Sequence, residues 1–324
     1  MLVPVLLFIL GLVCLIKGGD WFVDGGSGLA RMFHLPELLI GATVVAICTT
    51  LPEVTVSSIS AVKGHGEIAY GNAIGSVICN TALIAAITAT FMPGKVNPKE
   101  LRTPTIFFFI AAAIYLVSAY LIGSYPRYIG VILLLVFVVY MFVNVRQMMK
   151  NPDEAKPEEE EEEEEELPPL WKIILFLVAG AGLIVLGSNL LVDNGTIIAK
   201  ALGVPESVIA LTFVALGTSL PELVTAISSL IKGHSDMSIG NVIGANVFNL
   251  VLVSGLSMTI APFDVPNSSQ LFGYNQSLIL EIPLMLVVMI LLCLPSLKTK
   301  KLSRWQGITL LTIYALFCVF QFAV

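Results

Sequence analysis

Two glutamates, Glu53 and Glu222, each lie in the middle of a long apolar stretch of this chain. Each one follows two hydroxyl residues and a Leu-Pro pair, in the sequences TTLPE and TSLPE. A carboxylate at membrane depth is costly, by about 3 kcal/mol on insertion scales, and it usually faces a cavity or an ion. Proline breaks or kinks a helix and leaves carbonyl oxygens unpaired. Carboxylates, hydroxyls and such carbonyls together predict an all-oxygen site for hard cations such as Ca²⁺ and Na⁺.

A second pair of motifs supplies further polar side chains. The segment GNAIGSVICN returns as GNVIGANVFN, at the same offset that separates the two glutamates. In the first copy Ser76 and Asn80 share a helix face, and their counterparts are Ala245 and Asn249. We expect this polar stripe to face the carboxylates; the alternative is that the asparagines only bond helix to helix. Both copies also contain a GxxxG pair, which predicts close helix packing: Gly71 with Gly75, and Gly240 with Gly244.

The composition indicates an all-α integral membrane protein. The chain is 56% hydrophobic and only 12% charged, which is more apolar surface than a water-soluble fold of this length buries. A helix that crosses a bilayer needs about 20 residues. Ten segments reach that length, near 3–24, 36–61, 68–92, 103–122, 126–148, 170–193, 205–231, 238–262, 275–295 and 304–323.

The duplication divides the chain into halves of five segments each, 1–148 and 170–324. Since five is odd, the second half enters the membrane from the opposite side, and the repeats are inverted. Most basic residues fall on one side of this arrangement, and the positive-inside rule makes that side cytoplasmic. We therefore expect a multi-pass protein of the cell membrane with both termini outside and the linker 149–169 in the cytoplasm.

The linker contains an unbroken run of acidic residues from Glu158 to Glu166. Such a low-complexity, self-repelling segment between prolines is typical of disordered chain. We interpret it as a solvated tether. A cation-sensing role is the alternative, although bare glutamate runs bind divalent ions only weakly without a preformed cage.

Two Pro-broken helices, the second and the seventh, would meet at the bilayer midplane if the repeats are inverted. Their carboxylates would then lie side by side, and two like charges in a low dielectric require a divalent cation, two monovalent cations or protons. A site that must be neutralised before it crosses the apolar barrier is the basis of an exchanger. An empty, doubly charged site would be trapped on one side.

On these motifs the chain resembles the cation/calcium antiporter superfamily, and most closely its prokaryotic sodium/calcium exchanger members. The resemblance covers nearly the whole chain and rests on TTLPE with GNAIGSVICN and on TSLPE with GNVIGANVFN. It implies ten transmembrane helices in two inverted repeats, exchange of cytosolic Ca²⁺ for external Na⁺, and no cofactor. Helices one and six, here 3–24 and 170–193, are expected to slide across a rigid core.

The resemblance also implies a ligand set. Glu53 and Glu222 would be central ligands shared by Ca²⁺ and Na⁺, with Asn80 completing the ring. The other positions would contribute hydroxyls or backbone carbonyls, or, at Asn249, an amide: Thr49, Thr218, Thr50, Ser219, Ser76, Ala46, Ala215 and Asn249. Two departures matter, because family members often carry Asp in place of Asn249 and Ser in place of Ala245. The coupling ion and its stoichiometry therefore stay open.

Alternative functions follow from the same residues. H⁺/Ca²⁺ exchange would use the same two glutamates, and a cation channel could line its pore with them. An intramembrane enzyme is disfavoured, since the sequence has no paired catalytic Asp motif, no Ser/His arrangement and no phosphate-binding loop at membrane depth. The expected partners are Ca²⁺, Na⁺, possible H⁺ and the lipid bilayer. No nucleic acid is expected, and a monomer suffices.

Overall fold

The computed structural model describes residues 2–33, 35, 37–64, 66–150, 168–201, 219–267, 270–271 and 273–323. Within these ranges the chain is helical apart from short strands and turns. Seven of the described helices are long and apolar enough to cross a membrane, and an eighth span is formed if one bent pair is counted together. The all-helical membrane fold is thus confirmed, whereas the count of ten spans stays a prediction. Two segments lie outside the described residues: most of the linker that contains the acidic run, and residues 202–218, which include Ala215 and Thr218.

The helices of the first half begin with a long α1 and continue through two helices interrupted by π-helical turns. Their bounds are α1 Leu2–Phe33, α2 Glu37–Ile40, π1 Gly41–Val45, α3 Ala46–Thr49, α4 Leu51–Val62, α5 Gly66–Cys79, π2 Asn80–Ala85, α6 Ala86–Phe91, α7 Pro98–Leu116, π3 Val117–Ile122 and α8 Arg127–Lys150. The second half follows with α9 Leu170–Ala201, α10 Leu220–Ile231, α11 Ser235–Phe248, π4 Asn249–Val253, α12 Ser254–Ile260, π5 Ser277–Glu281, α13 Ile282–Thr299 and α14 Arg304–Ala323.

The described part of the chain contains six two-residue strands, which lie in connections between helices. They are β1 Gly94–Lys95, β2 Ser124–Tyr125, β3 Phe263–Asp264, β4 Gln270–Leu271, β5 Tyr274–Asn275 and β6 Lys301–Leu302. The pairs are antiparallel: β1 with β6, β2 with β3, and β4 with β5. The first two pairs join connections that the charge pattern assigns to a common side of the membrane, β1 with β6 inside and β2 with β3 outside. The pairing therefore agrees with the predicted topology, although which side is cytoplasmic stays a prediction.

The second predicted helix is broken where the sequence motif places the break. One helix ends at Thr49 and the next begins at Leu51, so the helix is interrupted at Thr50. Pro52 lies in the first turn of α4, where its missing N–H costs no hydrogen bond. The break therefore comes just before the proline. The motif in the second half has the same local form, because α10 begins at Leu220 with its proline in the first turn.

The chain divides into two compact units, and each combines parts of both sequence halves. The first unit comprises residues 1–49 and 143–241, and the second comprises 50–142 and 242–324. The halves 1–148 and 170–324 therefore describe the duplication of the sequence and not the compact units of the fold.

In the first unit α1 and α9 pack along their lengths. Glycines on both helices make this possible: a Cβ at Gly18 would lie 2.8 Å from the Ile184 nitrogen, and one at Gly180 would lie 2.6 Å from the Phe22 nitrogen. The backbones thus approach each other with no room for side chains, as in membrane helix pairs built on small residues. On another side of α1, a Cβ at Gly19 would lie 2.7 Å from Val224 of α10.

The two predicted GxxxG pairs differ in what the structure describes around them. Among the described residues nothing lies within 4 Å of a Cβ added at Gly71 or Gly75, so close packing at that pair stays a prediction. In the second copy, a Cβ at Gly41 would lie 3.2 Å from the carbonyl carbon of Gly240. A GxxxG pair allows close approach, but a partner backbone must face it.

The second unit packs α4 against α5, π4 and α12, and packs α13 against α5 and α7. Near its predicted outer end the buried rings of Tyr70, Tyr115 and Tyr125 cluster, with Tyr115 and Tyr125 centroids 4.6 Å apart. Phe263 of β3 adds a fourth ring, 5.3 Å from that of Tyr125. The helices that carry Glu53, Asn80 and Asn249 thus belong to one packed body.

Candidate cation-binding site

The predicted ligands are distributed over both units, and the described ones are buried. Glu53 and Glu222 are both 0% exposed, as are Asn80 and Asn249. The smaller members of the predicted set are buried as well: Ala46, Thr49, Thr50, Ser76 and Ser219. Burial of two carboxylates in apolar helices is costly unless something neutralises their charge. A bound cation would do so, and buried carboxylates are therefore what a cation site requires.

In the second unit Glu53 lies in the first turn of α4. The first turn of a helix carries unpaired N–H groups and a partial positive charge, which favour a carboxylate. Thr50 precedes this turn, and its hydroxyl oxygen is buried with no hydrogen-bond partner among the described residues. The break in the helix therefore places a carboxylate and a hydroxyl together at a helix start.

Asn72 fastens α5 to α4 behind this carboxylate. Its Nδ2 donates to the Ser57 hydroxyl at 2.8 Å and to the backbone carbonyl of Glu53 at 3.3 Å. An asparagine at membrane depth can serve as a ligand or as a structural bond between helices. These bonds support the structural role, because the amide holds the backbone of Glu53 in place.

Asn80 and Asn249 occupy equivalent places in the two repeats and in the fold. Each is the first residue of a π-helical segment, π2 and π4. A π-helical turn shifts the side chains that follow it and is frequent at functional sites. The amide oxygen and nitrogen of both asparagines are buried with no partner among the described residues. Buried amides normally form hydrogen bonds. The two amide oxygens are therefore available to coordinate a cation.

In the first unit the last turn of α3 meets α10 and α11. Thr49 lies beside the Glu222 carboxylate, and its hydroxyl donates to Asn241 Oδ1 at 3.1 Å. The carbonyl of Ala46 lies 3.4 Å from the same hydroxyl. Thus Thr49 and Glu222, which come from different repeats, lie together as predicted for ligands of one site.

Glu222 lies in the first turn of α10, as Glu53 does in α4, and Ser219 is the residue that precedes the helix. The two glutamates therefore share one local environment, the first turn of a helix directly after a proline. Ala245 is fully buried and, as the sequence requires, offers no side-chain oxygen. Its neighbour Asn246 offers an amide.

Sequence reasoning missed two polar residues of the second unit. Asn246 donates to the Thr81 hydroxyl at 2.7 Å, next to the predicted ligands. The repeat comparison passes over both, because their counterparts at the same offset, Val77 and Leu250, are apolar. The only signal available was an asparagine at membrane depth, which is a functional candidate by itself.

Together the fold and the buried oxygen donors define an all-helical membrane transporter for cations. The family model described as sodium/calcium exchanger protein matches residues 3–146 and 172–323. The chain therefore belongs to the sodium/calcium exchanger family, as its motifs predicted.

Relatives of full length support this assignment. The sodium/calcium exchanger MaX1 of Methanosarcina acetivorans is 31% identical over 350 residues, which cover 98% of each chain. The inner membrane protein YrbG of Escherichia coli is 34% identical and covers 87% of each. A solved structure of the sodium-calcium exchanger NCX_Mj, soaked with Na⁺ and Sr²⁺, has a TM-score of 0.82 at 30% identity and covers 98% of each chain.

Proposed function

We propose that this chain is a secondary antiporter that exports Ca²⁺ in exchange for entering Na⁺, by alternating access. Membership of the sodium/calcium exchanger family supports Ca²⁺ and Na⁺ as the two exchanged ions. The observation that carries the proposal is the pair of fully buried glutamates at equivalent helix starts. Two such carboxylates balance one Ca²⁺ or two Na⁺ ions, which gives the alternation of cargo that an exchanger requires.

We assign the ligand roles as follows. The carboxylates of Glu53 and Glu222 balance the positive charge of the bound ion. Asn80 and Asn249 offer buried amide oxygens that lack partners among the described residues. Thr49 lies beside Glu222, and we assign a similar role in the second unit to the buried Thr50 hydroxyl, which has no hydrogen-bond partner among the described residues. All of these are oxygen donors, which suits Ca²⁺ and Na⁺ and does not suit a soft metal.

Ser76, Ser219, Thr218 and the carbonyls of Ala46 and Ala215 complete the proposed ion-binding positions. The exchanger works in the cell membrane with both termini outside and needs no cofactor and no chemical step. Its driving force is the Na⁺ gradient. H⁺/Ca²⁺ exchange through the same glutamates is the competing proposal, since an amide at Asn249 carries no charge.

The test is uptake of radioactive Ca²⁺ into proteoliposomes loaded with Na⁺ and diluted into Na⁺-free buffer. We expect uptake that a Na⁺ ionophore abolishes and a proton ionophore does not. Glu53→Gln and Glu222→Gln should abolish it, whereas Glu281→Gln, which changes another glutamate of a membrane helix, should retain it. Uptake that follows the pH gradient would establish proton coupling instead, and flux that needs no counter-ion would establish a channel.

A further inference from the structure

A buried hydrogen-bonded bridge connects three helices of the second unit beside the proposed ligands. Asn246 of α11 is 0% exposed. Its Nδ2 donates to Thr81 Oγ1 at 2.7 Å and lies 3.3 Å from Met289 Sδ of α13. Thr81 in turn donates to the Val77 carbonyl at 2.7 Å. The Thr81 hydroxyl, which also lies 3.3 Å from Met289 Sδ, therefore acts as donor and acceptor at once.

Both ends of this bridge lie next to a proposed ligand. Thr81 directly follows Asn80 in π2, and Asn246 lies one turn before Asn249, the first residue of π4. A π-helical segment turns its side chains by a different angle from an α-helix. The direction of both ligand amides thus depends on how these two helices are rotated and shifted against each other.

The bridge is not explained well by stability alone. Hydrogen bonds between membrane helices contribute little, because the separated helices also find partners. Asn246 Oδ1 is moreover buried with no partner among the described residues, which is unfavourable. The repeat-related positions, one in each half, are Val77 and Leu250, which are both apolar. The repeat therefore does not require polar side chains at this place.

We propose that Asn246 is a positioning residue: its bond to Thr81 fixes the register of α11 against π2, and so aims the amides of Asn80 and Asn249 at the transported cation. This inference rests on the proposed function, since it takes those amides as ligands. The bridge exists in only one of the two repeat-related places.

The experiment compares Asn246→Val, Thr81→Val and the double variant with the wild-type protein. Two quantities are measured in parallel: the Ca²⁺ concentration for half-maximal Na⁺-driven uptake, and the thermal midpoint in detergent with and without Ca²⁺. We expect each single variant to raise the half-saturating Ca²⁺ concentration about tenfold. This is the lower end of the loss of metal affinity, about 10- to 100-fold, that follows when a residue supporting a metal ligand is replaced. The maximal rate should change less.

The double variant separates positioning from packing. Two apolar groups replace two bonded polar groups at little cost, so its thermal midpoint without Ca²⁺ should return toward the wild-type value. Its Ca²⁺ affinity should stay low. Recovery of affinity together with stability would overturn the inference, as would wild-type affinity in every variant; either result would make the bridge merely structural.

Two further variants serve as controls. Thr81→Ser keeps the hydroxyl and should keep wild-type affinity. Thr105→Val removes a buried hydroxyl of α7 that donates to the Leu101 carbonyl at 2.8 Å and lies beside the Cys293 thiol of α13; it takes no part in the bridge and should leave affinity unchanged. If the wild-type protein is stabilised by Ca²⁺ but shows no Na⁺-driven uptake, the proposed exchange fails, while the Ca²⁺-dependent thermal shift still tests the role of Asn246.

Discussion

Replacement of Glu222 by glutamine tests the central assumption, that a cation neutralises this buried carboxylate. The side chain is 0% exposed and lies beside Thr49. Glutamine has nearly the same shape and keeps an oxygen ligand, so the change removes one negative charge and little else. Removing one partner of a buried ion pair costs about 3–5 kcal/mol. That corresponds to Ca²⁺ affinity more than about a hundredfold lower, at about 1.4 kcal/mol for each factor of ten.

The assay is thermal unfolding in detergent at a fixed Ca²⁺ concentration. A ligand present at about 100 times its Kd stabilises the folded state by about 2.7 kcal/mol. If Glu222→Gln weakens binding a hundredfold, the same Ca²⁺ concentration only equals the new Kd and stabilises by about 0.4 kcal/mol. Without ions the variant should be at least as stable as the wild type, because it no longer buries an uncompensated charge.

Two results would refute this reasoning. A variant that Ca²⁺ still stabilises as strongly as the wild type would show that Glu222 is not a ligand. A variant that is markedly less stable than the wild type in the absence of ions would show that the carboxylate has a structural partner. Glu281→Gln, measured alongside, should keep the full Ca²⁺ response.

Three other changes test the remaining parts of the site and its frame. Asn80→Ala and Asn249→Ala should each raise the half-saturating Ca²⁺ concentration in vesicle uptake while lowering the thermal midpoint little, because the amides have no partners among the described residues; unchanged affinity would remove them from the ligand set. Lys232→Gln should lower the free energy of unfolding by less than about 1 kcal/mol, since its ion pair with Asp24, at 2.6 Å, is partly exposed; a larger loss, measured by chemical denaturation at low and high salt, would contradict this. Gly180→Leu should destabilise by about 1–3 kcal/mol or more, since its side chain would overlap the backbone of α1; a wild-type melting curve would mean that the two helices separate easily.

The sequence was sufficient to predict the fold class and the break in the second helix. Hydropathy finds membrane helices because a bilayer admits only fully hydrogen-bonded backbone. The break before Glu53 was predictable because Pro52 cannot continue a preceding helix. The burial of Glu53 and Asn80 was predictable for a similar reason, since a polar residue in an apolar helix faces protein and not lipid.

Other features depend on contacts that no local pattern encodes. The π-helical turns at Asn80 and Asn249 have no sequence signature in this chain. The close glycine packing fell on Gly18 and Gly180, where another backbone faces the helix, and not on Gly71, where none of the described residues does. The bridge from Asn246 was missed because a comparison of repeats finds only what the repeats share.

The composition of the two compact units bears on the origin of the protein. Each unit takes segments from both halves of the sequence, and strand β1 of the first half finds its partner, β6, in the second. A progenitor gene that encoded one half alone could have completed neither unit by itself. Its product would have had to assemble with a second copy of itself, and gene fusion would later have freed each half to diverge. Asn246, polar where its repeat counterpart is Val77, is a difference that two copies of one identical half could not have.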